Sequence, residues 1–341
     1  MKNVGPRRLV PRRKAFTAQR VMLLGATGTV GRATLNALLQ GGHDVTCFVR
    51  PKTETSSPLP AEVSGKLTFR FGQITKPHAL QDEAFRGEKF DAMVSCLASR
   101  NGDPADAWAI DYQSHAEALR CAKIAGVRHV VLLSAICVQK PQLAFQHAKL
   151  AFEKELIESG LTYSIVRPTA LFKSLCGQID RLRKGKSFLV FGNGALTACK
   201  PISDVDLANY LVQCLVDTSL HNRVLPIGGP GSAITPKQQG EELFALLGRK
   251  PRFSHVPVAF LDVIIGGLSV LGGFSTALAK KAELARIGRY YATQSMLVFN
   301  AQTGEYDEAA TPSTGTQGLF DFYAQLIQSN TSLDRGDHKV F

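Results

Sequence analysis

The stretch Gly25-Ala26-Thr27-Gly28-Thr29-Val30-Gly31 constrains what this 341-residue chain can become more than any other part of it. It follows directly on the apolar run Val21-Met22-Leu23-Leu24 and leads into a helical pattern from Arg32 to Gln40, which Gly41-Gly42 stops. A strand, a glycine turn and a helix in that order make a nucleotide phosphate site. The glycines provide a tight turn, close approach of backbone N–H groups to a pyrophosphate and close packing of helix on strand, and the helix N-terminus adds favourable charge. The expected cofactor contacts in this loop are Gly25, Thr27, Gly28, Thr29, Val30 and Gly31, and the expected ligand is a dinucleotide.

Which dinucleotide is bound follows from the next strand, residues 43–50. An NAD-binding chain carries an acidic residue at that strand's end, about 20 residues beyond the glycines, to hold the ribose 2′-hydroxyl. Here the strand ends in Arg50, with Lys52 close by. A guanidinium suits the 2′-phosphate, so NADPH is expected.

Further strands are predicted at 67–71, 90–97, 129–134 and 161–166, alternating with helices at 105–125 and 144–159. This alternation predicts an α/β fold, a Rossmann-type doubly wound parallel sheet. Ligands of such sheets lie outside the carboxyl ends of the strands, so Ser95, Leu97 and Ser134 should line one crevice with the glycine loop. Residues 20–229 are expected to form the NADP-binding domain, and 230–341 a smaller substrate-binding lobe with a C-terminal docking helix. Residues 1–19 are expected to be a basic, disordered tail.

The charge balance supports that division. The net charge is +12, and Lys2, Arg7, Arg8, Arg12, Arg13, Lys14 and Arg20 stand in the first 20 residues with no acid among them. No nucleic-acid-reading module accompanies the charge, so nucleic acid is not an expected partner. The tail reads as an extension, an acid-poor targeting segment or a patch for anionic lipid. The seven cysteines form no C-x-x-C pair and no histidine cluster, which predicts a reducing compartment with no iron–sulfur cluster and no metal. The apolar run 256–279 is interrupted by Asp262 and paired glycines, which argues against a membrane span and for a buried or substrate-covering helical lobe. Peripheral contact with a membrane surface is the other option, because Lys280-Lys281 follow at once.

Phe145 and Lys149 stand four apart, on one face of the helix at 144–159. The chain here resembles the short-chain dehydrogenase/reductase superfamily, whose Tyr-x-x-x-Lys pair uses the lysine to bind the nicotinamide ribose and the tyrosine to give a proton to a carbonyl oxygen. Phenylalanine at the tyrosine position removes that donor, which resembles the atypical, isoflavone-reductase-like members. From about Arg20 onward, the stretches at 200–208, 225–231, 281–293 and 311–315 make the chain similar to the NADPH-dependent divinyl chlorophyllide a 8-vinyl-reductases. The resemblance implies reduction of a pigment vinyl group to ethyl, in chlorophyll or bacteriochlorophyll biosynthesis, with Lys149 as the catalytic residue and no flavin. It also implies a photosynthetic bacterial cytoplasm, peripheral to the photosynthetic membrane, or a plastid stroma. A flat macrocycle with a propionate needs an apolar wall and a cation, for which Phe145, Lys173, Arg286, Arg289, Tyr290 and Tyr291 are the candidates. Two other readings stay open: an atypical reductase of another conjugated molecule, of isoflavone or phenylcoumaran type, and a non-catalytic NADP-sensing or assembly protein.

Overall fold

A computed structural model describes residues 18–51, 67–99, 102–273 and 275–329. The tail at 1–17 and Lys52 lie outside the described residues.

The chain opens with β1 (Arg20–Leu24), α1 (Thr29–Gln40), β2 (Asp44–Val49), β3 (Leu67–Phe71) and β4 (Ala92–Ser95). Next come α2 (Pro104–Ala107), α3 (His115–Ile124), β5 (His129–Leu133), α4 (Ala144–Ile157) and β6 (Thr162–Pro168). Then follow α5 (Ile179–Arg183), β7 (Phe188–Phe191), α6 (Asp204–Cys214), β8 (Arg223–Ile227), α7 (Pro236–Leu246) and β9 (Phe253–Val256). The last elements are α8 (Val258–Gly272), α9 (Thr276–Thr293), β10 (Val298–Asn300), β11 (Glu305–Asp307) and α10 (Leu319–Gln328).

Seven strands form one parallel sheet in the order β3-β2-β1-β4-β5-β6-β8. The order reverses between β1 and β4, which opens a crevice at their carboxyl ends. Successive side chains of a strand point to opposite faces, and both faces are covered at the central strands, so Val21–Leu24 of β1 reads as an unbroken apolar run. Val21 and Leu23 pack under Leu35 and Leu38 of α1 and Leu207 and Leu211 of α6. Met22 and Leu24 pack on the other face with Leu119 of α3 and Phe152 and Leu156 of α4.

The helix expected over 105–125 is continuous but changes its winding. Between α2 and α3 the segment Trp108–Ser114 is π-helical. Side chains bond carbonyls five residues back, Ser114 Oγ to Ala109 O at 2.8 Å and His115 Nδ1 to Ile110 O at 2.9 Å. Wide turns of this kind recur where a helix aims side chains at a site.

A second core joins residues on both sides of position 229. β7 pairs with β9, and Phe188 and Val190 of β7 share a buried cluster with Leu243 and Phe244 of α7 and Tyr323 of α10. The apolar run at 256–279, expected as a buried or substrate-covering lobe, folds as the hairpin α8–α9, and none of the residues of α8 is buried. The turn is tight because Gly272 presses on Ala279, where an added Cβ would come within 3.1 Å of the Ala279 backbone.

Two of the buried histidines, His115 and His129, are 1% and 6% exposed. Burial, reinforced by Lys149 for His115 and by His221 for His129, pushes both down to about 4. Each is neutral in the fold, whereas in the unfolded chain it binds a proton below about pH 6.5. Their contribution is therefore complete above that value and is lost as pH falls toward 4, at up to about 1.4 kcal/mol per pH unit for each. Urea unfolding should show stability about 3–4 kcal/mol lower at pH 5 than at pH 7.5, with the slope flattened in His115→Asn/His129→Asn. A change under about 1 kcal/mol over that window would contradict the neutral burial of both.

Candidate functional site

The glycine loop has a separate physical requirement at each glycine. Gly25 sits at φ +79°, and an added Cβ would fall 2.6 Å from the Cys96 carbonyl carbon, so the turn and its seat on the end of β4 both exclude a side chain. At Gly31 an added Cβ would be 2.0 Å from the Gly25 carbonyl oxygen, which is how closely α1 approaches the turn. Gly28 differs: its nearest neighbour is 3.5 Å away, on the open side of the loop. It occupies the N-cap of α1 without a side-chain cap, and the first turn holds no acid. That leaves the N–H groups of Thr29, Val30 and Gly31 uncapped by any side chain among the described residues, a fit for phosphate oxygens. Lys173 reaches the same place, its Nζ 3.3 Å from Thr29 Oγ1. Its expected station was the pigment; the structure puts its charge at the mouth of the loop.

Arg50 follows the last residue of β2, which runs beside β1 with Phe48 opposite Leu24, and its side chain is exposed. It therefore emerges next to the glycine turn, within the region an adenosine ribose occupies in this fold. Arg50→Ala should raise the Michaelis constant for NADPH about 10- to 100-fold, from loss of a charge-assisted phosphate contact, and leave that for NADH nearly unchanged. Steady-state kinetics with both nucleotides check this; an unchanged NADPH constant would remove Arg50 from the site.

Across the crevice, α4 presents Phe145 and Lys149. Lys149 is not a solvated helix charge: its side chain is 12% exposed, and Nζ lies 2.9 Å from Oδ1 of Asp111, whose side chain is fully buried. Ser99 donates to the other oxygen, Oγ to Oδ2 at 2.5 Å. Asp111, which sequence reasoning missed, is delivered by the π-helical segment. The available signal was a carboxylate four residues before His115, on the inner face of the segment expected to be helical.

The two strand-end serines are engaged elsewhere. Ser95 is buried and its Oγ lies 2.8 Å from His115 Nε2. Because His115 Nδ1 faces the carbonyl of Ile110, that nitrogen carries the proton and Nε2 accepts from Ser95. Ser134 donates to Glu153, a buried carboxylate that Arg167 also pairs with. Both hydroxyls thus face the interior, leaving backbone groups as what these positions offer a ligand. Leu97 is half-buried, and its N–H donates a weak bond to Ser95 Oγ at 3.4 Å.

Helix α9 lies across the loops that follow β4 and β5, on the crevice side of the sheet. Ile287 closes against Gly102, where an added Cβ would be 2.5 Å from its Cδ1. The buried hydroxyl of Tyr290 donates to Cys137 O at 2.7 Å, and Lys140 O is 3.1 Å away. Tyr291 points its hydroxyl at Cys137 Sγ, 3.9 Å distant. Burial pushes both phenols above their ordinary range. Phe145, Tyr290 and Tyr291 belong to one apolar cluster with Ile136, Leu143 and Ile287. Arg286 and Arg289 are turned instead toward the hairpin: Arg286 bonds Glu283 at 3.0 Å and Ser269 at 2.7 Å, and Arg289 pairs with Asp262. Among the described residues no group of three or more His, Cys, Asp or Glu side chains could hold a metal ion.

A glycine turn leading into a helix N-terminus at the switch point of a 3-2-1-4-5-6 sheet, with a lysine on the facing helix, defines a nicotinamide-nucleotide-binding protein of the short-chain dehydrogenase/reductase type. The NAD(P)H-binding family model matches residues 25–218. The chain is 44% identical over 319 residues to the chloroplastic divinyl chlorophyllide a 8-vinyl-reductase of Arabidopsis thaliana, covering 90% of this chain and 76% of that one. Against the chloroplastic protein of the same name from Oryza sativa subsp. indica the identity is 43%, covering 94% of this chain and 82% of that one. The NADPH-dependent quinone oxidoreductase of Escherichia coli, solved with NADPH, shares the fold at a TM-score of 0.62 and 17% identity, over 90% of this chain and 99% of that one. The chain belongs to the divinyl chlorophyllide a 8-vinyl-reductase family.

Proposed function

We propose that the protein uses NADPH to reduce the 8-vinyl group of 3,8-divinyl chlorophyllide a, or of the corresponding protochlorophyllide, to ethyl. The supporting observation is the 44% identity, over 90% of this chain, to a protein named for that reaction. The residues present fit the cofactor: uncapped N–H groups at 29–31 and Lys173 for the pyrophosphate, Arg50 for the 2′-phosphate, and Lys149 for the nicotinamide ribose. NADPH supplies a hydride to the vinyl group. Asp111 and Ser99 hold Lys149 in one position, so that the ribose, and with it the ring, is placed rather than merely bound.

Phenylalanine at 145 suits this chemistry. Adding hydride to the terminal vinyl carbon leaves negative charge that the conjugated macrocycle spreads, and the proton that completes the ethyl group goes to carbon. No oxygen needs a phenol beside it. Phe145 and Tyr291, half-buried at the edge of the apolar cluster under α9, form a wall for a flat ring, and residues 230–341 act as the substrate lobe. Of the cations proposed for the propionate, Arg286 keeps its side chain 42% exposed and Arg289 38%. The compartment is the one where chlorophyllide is made, a plastid stroma or the cytoplasm of a photosynthetic bacterium.

Purified protein incubated with NADPH and divinyl chlorophyllide a should yield the 8-ethyl pigment on chromatography. Nucleotide binding without pigment turnover would favour a sensing or assembly role, and turnover of phenylpropanoids alone would favour the other reductase reading.

A further inference from the structure

Helix α8 combines two properties that do not belong together in water. Its only charge is Asp262, yet none of its 15 residues is buried. Leu261, Ile264, Ile265 and Leu268 are half-buried in the hairpin. The other side shows an outward row: Phe260 is 56% exposed, Val263 72%, Val270 72% and Leu271 53%. Gly266 and Gly267 lie between them, where an added Cβ would meet nothing within 4 Å. A single exposed leucine needs no explanation, but a contiguous apolar row on one helix marks an interaction surface.

We propose that this face of α8 lies in the plane of an anionic phospholipid bilayer and holds the protein at the membrane surface. Length decides the orientation. A helix of 15 residues is about 22 Å long, short of the ~30 Å hydrocarbon core. Among the described residues no helix is long and apolar enough to cross a membrane. An in-plane segment instead sinks its apolar side among the acyl chains and needs cations at the headgroup level. The hairpin has them: Lys280, bridged to Asp103 at 2.9 Å with its side chain still 59% exposed, and Lys281 lie in the second turn of α9, and Arg286 and Arg289 follow beside the two carboxylates Asp262 and Glu283. Those two carboxylates are already paired, with Arg289 and Arg286, so insertion leaves neither without a partner. A second copy of the chain is the poorer occupant, because it would bring the same cations face to face on a protein of net charge +12.

The test is flotation of the full chain with vesicles of phosphatidylcholine mixed with an equal amount of phosphatidylglycerol. The native chain should float with these vesicles and far less with phosphatidylcholine alone, and added salt should weaken the association. Phe260→Ser/Val263→Ser/Val270→Ser should lower partition about tenfold or more, with unchanged circular dichroism and NADPH binding. As a measurement that does not depend on that variant, Val263→Trp should shift its emission to the blue on vesicle addition, read against Trp108, the chain's single native tryptophan. Deleting residues 1–18 should reduce only the salt-sensitive part. The proposal is overturned if the native chain does not float, or if the triple variant floats as well as the native chain while the tail deletion abolishes binding. It is equally overturned if sedimentation shows a dimer that the triple variant dissolves and Val263→Trp gives no shift with vesicles.

Discussion

Replacing Lys149 by methionine should lower single-turnover vinyl reduction about a hundredfold at saturating NADPH, since a small misplacement of the reacting ring costs that much. The same change should also destabilise the fold by about 3–5 kcal/mol, because it strips the partner from a carboxylate sealed in the interior. Asp111 is 1% exposed, and without Lys149 it keeps Ser99 alone among the described residues. Loss of activity in the single variant would therefore be ambiguous. Asp111→Asn/Lys149→Met separates the two effects: the neutral amide restores most of the stability, and turnover stays low if Lys149 places the ribose. Near-native turnover in the double variant would reduce Lys149 to a structural ion pair. Phe145→Tyr should not improve vinyl reduction, and a large gain would mean that the proton path runs through this position.

The second large effect lies in the glycine loop, where three chemically identical substitutions should have different outcomes. Gly31→Ala should cost about 3 kcal/mol or more, because the new methyl falls 2.0 Å from the Gly25 carbonyl oxygen and α1 must lift off β1. Gly25→Ala adds backbone strain at φ +79° to a 2.6 Å overlap with Cys96, with a loss of similar size. Gly28→Ala meets only ordinary contact at 3.5 Å, so it should fold with near-native stability. Its methyl stands where backbone must approach the pyrophosphate, so NADPH affinity should fall about tenfold or more. Calorimetric titration beside urea unfolding distinguishes these outcomes. Native affinity in a folded Gly28→Ala would place the phosphates elsewhere.

Much of this architecture was legible because it depends on near neighbours in the chain. The run Val21–Leu24 followed by spaced glycines and the Gly41-Gly42 stop specify a strand, a turn and a helix through backbone sterics and periodicity alone. Repeating that alternation leaves few topologies, since parallel crossovers are right-handed, and points to a doubly wound parallel sheet. Arg50 was legible for the same reason, its place being counted along one strand from the loop.

The interior of the site was decided by the tertiary structure, because burying a charge or a hydroxyl depends on a partner far along the chain. Asp111 meets Lys149 38 residues on, and a π-helical segment that no periodicity announces turns it inward. Ser134 sits at the end of its strand as its position implied, yet its hydroxyl belongs to Glu153 and Arg167. Tyr290 looked like a pigment contact by its neighbours Arg286, Arg289 and Tyr291; packing set it instead against the carbonyl of Cys137, 153 residues away. Composition marked α8 for a buried or substrate-covering lobe. The hairpin covers only one of its sides, because hydrophobicity specifies that a surface must be removed from water and leaves to the three-dimensional arrangement what removes it.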